Sequence, residues 1–219
     1  MMSAAVYLCA FSPLLGLAVD GADSTGALTP GLIPRSWELD FTFHDPQRIT
    51  VHHAGQTEAA TYWYVLYSVT NRTDRDVAFH PTFELVTDSM QKSIGGEEIS
   101  TTVFEAIRLR HHRDYPFLIQ PSRVSGKLLQ GEDNAISSVA IFRQFDPGSN
   151  RFAVYVGGLS GEVTRVSNPS FDPGQPESEV NPPFFFLRKT LAIRYVLPGD
   201  VKSRRVTKPT RVGRDWVMR

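Results

Sequence analysis

From Trp37 onward the chain alternates apolar and polar residues with a period of two. Trp37, Leu39, Phe41 and Phe43 fall on one side and Glu38, Asp40 and Thr42 on the other, as in a strand with one buried face. His44-Asp45-Pro46-Gln47 supplies a turn, and Arg48 to His53 resumes the pattern with Ile49 and Val51. The strongest strand is Thr61 to Thr70. There Trp63, Val65, Tyr67 and Val69 form one apolar face opposite Tyr62, Tyr64, Leu66, Ser68 and Thr70. After the polar turn Asn71 to Asp76, Val77, Phe79, Phe83 and Leu85 fit a returning strand, with Pro81 marking an edge or a bulge. The two strands are expected to pair as an antiparallel hairpin.

One segment changes period. Ile99, Val103, Phe104 and Ile107 have helical spacing, with Ser100 or Thr101 as N-cap, which predicts a short helix ending before Pro116. Further β segments are expected around 124–129, 135–145 and 152–157, then a proline-containing loop from Ser167 to Pro183. A last strand carries Leu187, Leu191, Ile193, Tyr195 and Leu197. Many strands, regular turns and little helix predict an all-β fold: an antiparallel immunoglobulin-like β-sandwich with one short helix, spanning residues 36–219 as a single domain.

Two stretches carry resemblances. Tyr67-Ser68-Val69-Thr70-Asn71 with its polar turn resembles the central hairpin of immunoglobulin-like accessory domains in exported bacterial proteins. Phe152 to Glu162, Arg188-Lys189-Thr190-Leu191 and Leu197-Pro198-Gly199-Asp200 are similar to exported proteins of planctomycete-type bacteria. The resemblance implies export and a β-sandwich; it implies no activity and no site residues.

The first residues point the same way. Ala4 to Phe11 and Leu14 to Val19 form an apolar block interrupted by Ser12-Pro13, with Gly16 and Ala18 at the −3 and −1 positions of a signal-peptidase site. The block is short against the roughly 20 apolar residues that a membrane span needs. Residues 1–18 are therefore expected to be a signal peptide and 19–35 a flexible Gly/Pro/Ser/Thr-rich leader. The mature chain would be periplasmic or extracellular, with no membrane span after cleavage.

Composition removes several chemistries. The only cysteine, Cys9, lies within the signal, so the mature chain would hold no disulfide, cysteine–metal site or thiol nucleophile. The 23 basic and 23 acidic residues cancel, which gives no reason to expect nucleic acid. The balance is uneven: Lys202 to Arg219 holds seven basic residues and one acid. Such a segment blunts a terminal edge strand or meets an anionic envelope polymer.

No catalytic set emerges. The six histidines fall between His44 and His112, but His52 and His53 point to opposite faces of a strand and His111-His112 sits in a charged stretch. No metal site and no cofactor is expected. Gly158-Leu159-Ser160-Gly161 resembles a nucleophile elbow, yet Glu162-Val163-Thr164-Arg165-Val166 reads as strand where that elbow needs a helix. The two Asp-Pro-Gly sequences at Asp146 and Asp172 are explained as turns rather than calcium ligands.

What remains is surface. The expected function is a non-catalytic interaction or assembly module of the cell envelope, contacting an envelope protein or an anionic or carbohydrate polymer. Its contact residues would be Phe184 and Phe185, beside Phe186 and the proline-containing loop, together with the basic Arg204, Arg205, Lys208 and Arg211. The alternatives are a carbohydrate-binding module that stacks sugar on exposed Tyr62 and Tyr64, or a histidine-based metal-binding protein.

Overall fold

The computed structural model describes Pro30 and residues 36–219. The expected signal peptide and, Pro30 apart, the expected leader lie outside the described residues. Strands β1 (Asp40–Phe43), β2 (Gln47–Val51) and β3 (Ala60–Asn71) are followed by β4 (Val77–Phe79), β5 (Thr82–Thr87) and β6 (Lys92–Ile94). Helix α1 (Thr101–Arg110) and a 3-10 turn at Pro121–Arg123 precede β7 (Gly126–Leu128), β8 (Gly131–Arg143) and β9 (Arg151–Gly157). The chain closes with β10 (Val163–Ser167), β11 (Phe184–Val196), a single-turn helix α2 (Val201–Arg204) and β12 (Thr210–Met218). The fold is all-β and its strand ladders are antiparallel, with two α-helices among the described residues where the sequence predicted one.

The first sheet is built on β3. From Tyr62 onward β3 pairs with β8 on one side, Tyr62 opposite Arg143 through Asn71 opposite Gly131. On the other side lie β2 against Ala60–Tyr64 and β1 against Tyr67–Thr70, two halves of one edge broken at His44–Pro46. In the second sheet the order is β10-β11-β9-β5-β6, with β12 pairing β11 along its other edge. A small β4–β7 ladder stands apart.

The two sheets face each other across one aromatic-rich core. Trp63, Tyr67 and Phe142 of the first sheet meet Phe83, Phe152, Val156 and Tyr195 of the second. Trp63 stacks on Phe145 at 5.4 Å and Tyr67 tilts against Phe83 at 4.7 Å, contacts that add specific geometry to simple burial.

The expected hairpin between β3 and the segment after it does not form. Both sides of β3 are already occupied, so the chain crosses instead: β4 pairs β7, and β5 pairs β9 and β6. The crossover is fixed by Asn71, which is fully buried. Its amide donates to the carbonyls of Arg75 and Leu128, and its oxygen accepts from the Thr73 backbone.

Helix α1 starts where predicted, with the Ser100 hydroxyl accepting from the Thr102 N–H at 3.3 Å, and Arg108 and Arg110 complement the dipole at its end. It covers the outer face of the first sheet. Val103, Phe104 and Ile107 bury against Ile49, Tyr64, Leu66, Val139 and Ile141 in a second core, each worth about 1.5–3 kcal/mol of burial. Three layers result: helix, sheet, sheet.

β11 outruns the sandwich. Phe184–Arg188 pairs with β10, and among the described residues β10 has no other partner strand, so the two form a two-stranded ribbon. Its base is pinned by Lys189, whose side chain is 3% exposed; its ammonium lies 2.9 Å from Glu38, 3.5 Å from Glu162, and over the Trp216 ring.

Candidate functional site

The break between β1 and β2 creates a concavity. Pro46 has no N–H to continue the ladder, and His44 turns its own N–H to the Leu66 carbonyl at 2.9 Å. The chain leaving α1 folds into this gap. A cavity of about 700 Å³ results, lined by His44, Gln47, Ser68, His111, Tyr115 and Ser137, among others.

Histidine–tyrosine pairs organise its wall. His44 Nε2 lies 2.6 Å from the Tyr115 hydroxyl, and His111 Nε2 lies 2.9 Å from that of Tyr64. Tyr64 also donates to Gln47 at 3.0 Å and accepts from Arg110 at 3.3 Å. With its one proton given to Gln47, Tyr64 receives the His111 Nε2–H. Burial, and then the charge of Arg110, pull the His111 pKa below its ordinary value against the raising effect of Asp114. Burial and then Asp114 raise that of Tyr115, which therefore keeps its phenolic proton. Apart from the Asp114 carboxylate, the cavity wall offers hydroxyl, amide and imidazole groups, with the Ser68 and Ser137 hydroxyls bonded to each other at 2.7 Å.

A second cavity, of about 550 Å³, adjoins the first and shares His44 and Gln47 with it. It contains Arg48, Arg110 and Lys208. The Arg48 guanidinium lies 3.9 Å over the Trp63 ring and donates to the carbonyls of Thr207 and Arg204, tying the C-terminal segment to the first sheet.

The structure corrects the tyrosine expectation. Tyr64 is fully buried under α1 and Leu66 beside it is 1% exposed. Tyr62 is half-buried and bonds to His53 at 2.8 Å. The two rings therefore form no exposed coplanar pair, because the alternate face of β3 belongs to the second core. The histidines are distributed, three on tyrosines and His112 on the Leu109 carbonyl. Among the described residues no group of three metal-ligating side chains converges.

Phe184, Phe185 and Phe186 are 37%, 45% and 65% exposed. The Arg165 guanidinium covers one face of Phe184 at 4.2 Å. The loop that joins the ribbon's strands is ordered by Asn168 and Asn181, which bond to backbone carbonyls across it. The basic segment is not one continuous strip. Arg204 is spent on the carbonyls of Gly199 and Gly148, and Arg211 lies 3.7 Å from Asp45, whereas Arg205 and Lys208 are exposed and make no ion pair among the described residues. Residues 210–218 form the edge strand β12.

Ser160 sits in a strand-to-strand turn that bridges to Glu38, and strand β10, not a helix, follows it. Asp146 and Asp172 each accept from the glycine two residues on, at 2.8 Å, as turn residues. The cavity beside α1 escaped sequence reasoning because its walls come from positions 44–47, 66–68, 111–119 and 135–137; only Pro46 within a strand pattern signalled the break. No helix among the described residues is long and apolar enough to cross a membrane. In comparisons with protein families, curated proteins and solved structures, nothing matches this chain.

Proposed function

We propose that this chain is an exported, non-catalytic interaction module of the cell envelope, and that the β10–β11 ribbon is its contact surface. One observation carries the reading: three consecutive phenylalanines, each more than a third exposed, stand on a hydrogen-bonded ribbon outside the sandwich core. Rings left in water on an ordered element mark an interaction surface when they form a patch. Among the described residues the ribbon also keeps an open edge at β10, which favours a protein partner that adds a strand of its own. Lys189 and its two carboxylates hold the ribbon's base, so little ordering entropy is lost on docking.

The test is site-specific photo-cross-linking in cells producing the full chain. A probe at Phe186 should yield one discrete adduct with an envelope protein, and a probe at exposed Asp74 should not. F184S/F185S should abolish that adduct while leaving the unfolding midpoint within about 0.5 kcal/mol, as for surface sites. Identical adduct patterns from the two probe positions would refute the proposal.

A further inference from the structure

We infer that the two adjoining cavities beside α1 form one groove for an anionic saccharide. The sugar ring would sit in the His44–Tyr115 cavity, and its negative group would meet Arg48, Arg110 and Lys208. This site lies away from the ribbon and does not rest on the ribbon's role.

The first cavity is lined mainly by hydroxyl, amide and imidazole groups. Ser68, Ser137, Gln47, His44 and Tyr115 present hydroxyl, amide and imidazole groups that match the mixed donor and acceptor demand of vicinal sugar hydroxyls. Phe117 lines the same cavity and is 87% exposed, next to Pro116. An exposed ring beside a polar floor suits a ligand with one apolar CH face and a hydroxylated rim. Asp114 is the one carboxylate lining this half, and it does not favour a bare anion there.

The second half is charge. Arg48, Arg110 and Lys208 form no ion pair with any carboxylate among the described residues. The one acid lining their cavity, Asp45, is already engaged: it accepts from the Tyr195 hydroxyl at 3.0 Å and faces Arg211 at 3.7 Å. A carboxylate or phosphate would therefore find positive charge without displacing an acidic partner: Arg48 keeps its donors on the Thr207 and Arg204 carbonyls, and Lys208 and the remaining N–H groups of Arg110 would meet the anion.

What joins the halves is Tyr64. Its buried hydroxyl touches Gln47 in the shared wall, His111 in the first cavity and Arg110 in the basic one. Through that one oxygen the donors of both cavities keep a fixed relative position. A neutral sugar would leave the cations unused, and a small inorganic anion would leave the hydroxyl-rich half and Phe117 unused. A sugar bearing an anionic group uses all of it.

The experiment is calorimetric titration of the full chain at pH 7 and low salt with tri-galacturonate, glucose 6-phosphate, maltotriose, acetate and inorganic phosphate. Saturable binding of either charged sugar, at least about tenfold tighter than maltotriose and than the free anions, is the expected result. Tri-galacturonate above glucose 6-phosphate would assign a carboxylated polymer, and the reverse order a phosphorylated sugar. K208Q and F117S, both at exposed positions, should each weaken the charged sugar about tenfold, with K208Q leaving any maltotriose binding unchanged. The inference is overturned if no charged sugar saturates, if acetate or phosphate binds as tightly as the sugars, or if both variants bind like the parent.

Discussion

Replacing Lys189 with methionine removes the cation from between two carboxylates at the ribbon's base. The Lys189 side chain is 3% exposed and that of Glu162 6%, so neither group gains much from solvent, whereas Glu38 at 28% can rehydrate. Removing one member of a buried ion pair costs about 3–5 kcal/mol, because the remaining charge stays desolvated. Partial rehydration of Glu38 places the expected loss near the lower end, about 3 kcal/mol. The ammonium also lies 4.9 Å from the Trp216 ring centroid, so its loss forfeits a cation–π contact of about 0.5–2 kcal/mol. Urea unfolding at pH 7, followed by tryptophan fluorescence, measures the difference. The triple variant E38Q/E162Q/K189M removes all three charges at nearly constant volume and should recover most of the loss. A single variant within about 1 kcal/mol of the parent, or a triple variant no better than the single, would refute the claim that buried charge fixes the ribbon.

Two further outcomes follow from the same geometry. Gly158 has φ +82° and a Cβ there would meet the His80 carbonyl oxygen at 2.5 Å, so Gly158→Ala should lose about 1–3 kcal/mol in the same unfolding assay. His111 is held neutral by burial and by Arg110, so its contribution to stability is complete above the ordinary imidazole value of 6.5 and declines as the pH falls through the lower folded-state value. The melting temperature of the parent should therefore fall more steeply with acid below about pH 6.5 than that of His111→Gln, and parallel curves would contradict this.

The strands were legible where one face is apolar and the other polar. β3 shows what this leaves out. Its Trp63–Val69 face announces the main core, but Tyr62, Tyr64 and Leu66 look like a solvent face because Ser68 and Thr70 continue it. The helix that covers them is visible only as the separate spacing Val103–Phe104–Ile107, and nothing local says that the two belong together. Leu66 on the apparent polar face was the available clue. Pairing partners were less legible still. Val77 to Leu85 has strand character, yet its failure to return along β3 depends on β1, β2 and β8 having filled both edges. The exposed phenylalanines were readable because Pro182-Pro183 and three aromatic residues in a row cannot all face one core. The groove was not, since His44 and His111 meet only through the break at Pro46 and the turn after α1.

The pairing of β3 with β8 also sets when this protein can fold. Tyr62 is registered with Arg143, and β9 is registered with β11, Val156 opposite Leu191. Neither sheet is closed by neighbours in sequence, so long loops must be ordered before their contacts reward the cost, and such topologies fold in milliseconds to seconds rather than microseconds. A chain emerging from the ribosome holds β3 for the whole synthesis of residues 72–130 before its long partner exists. Until then the strand that becomes the centre of the molecule has, among the described residues, only the short β1 and β2 to pair with, and its Trp63–Val69 face lacks the second sheet.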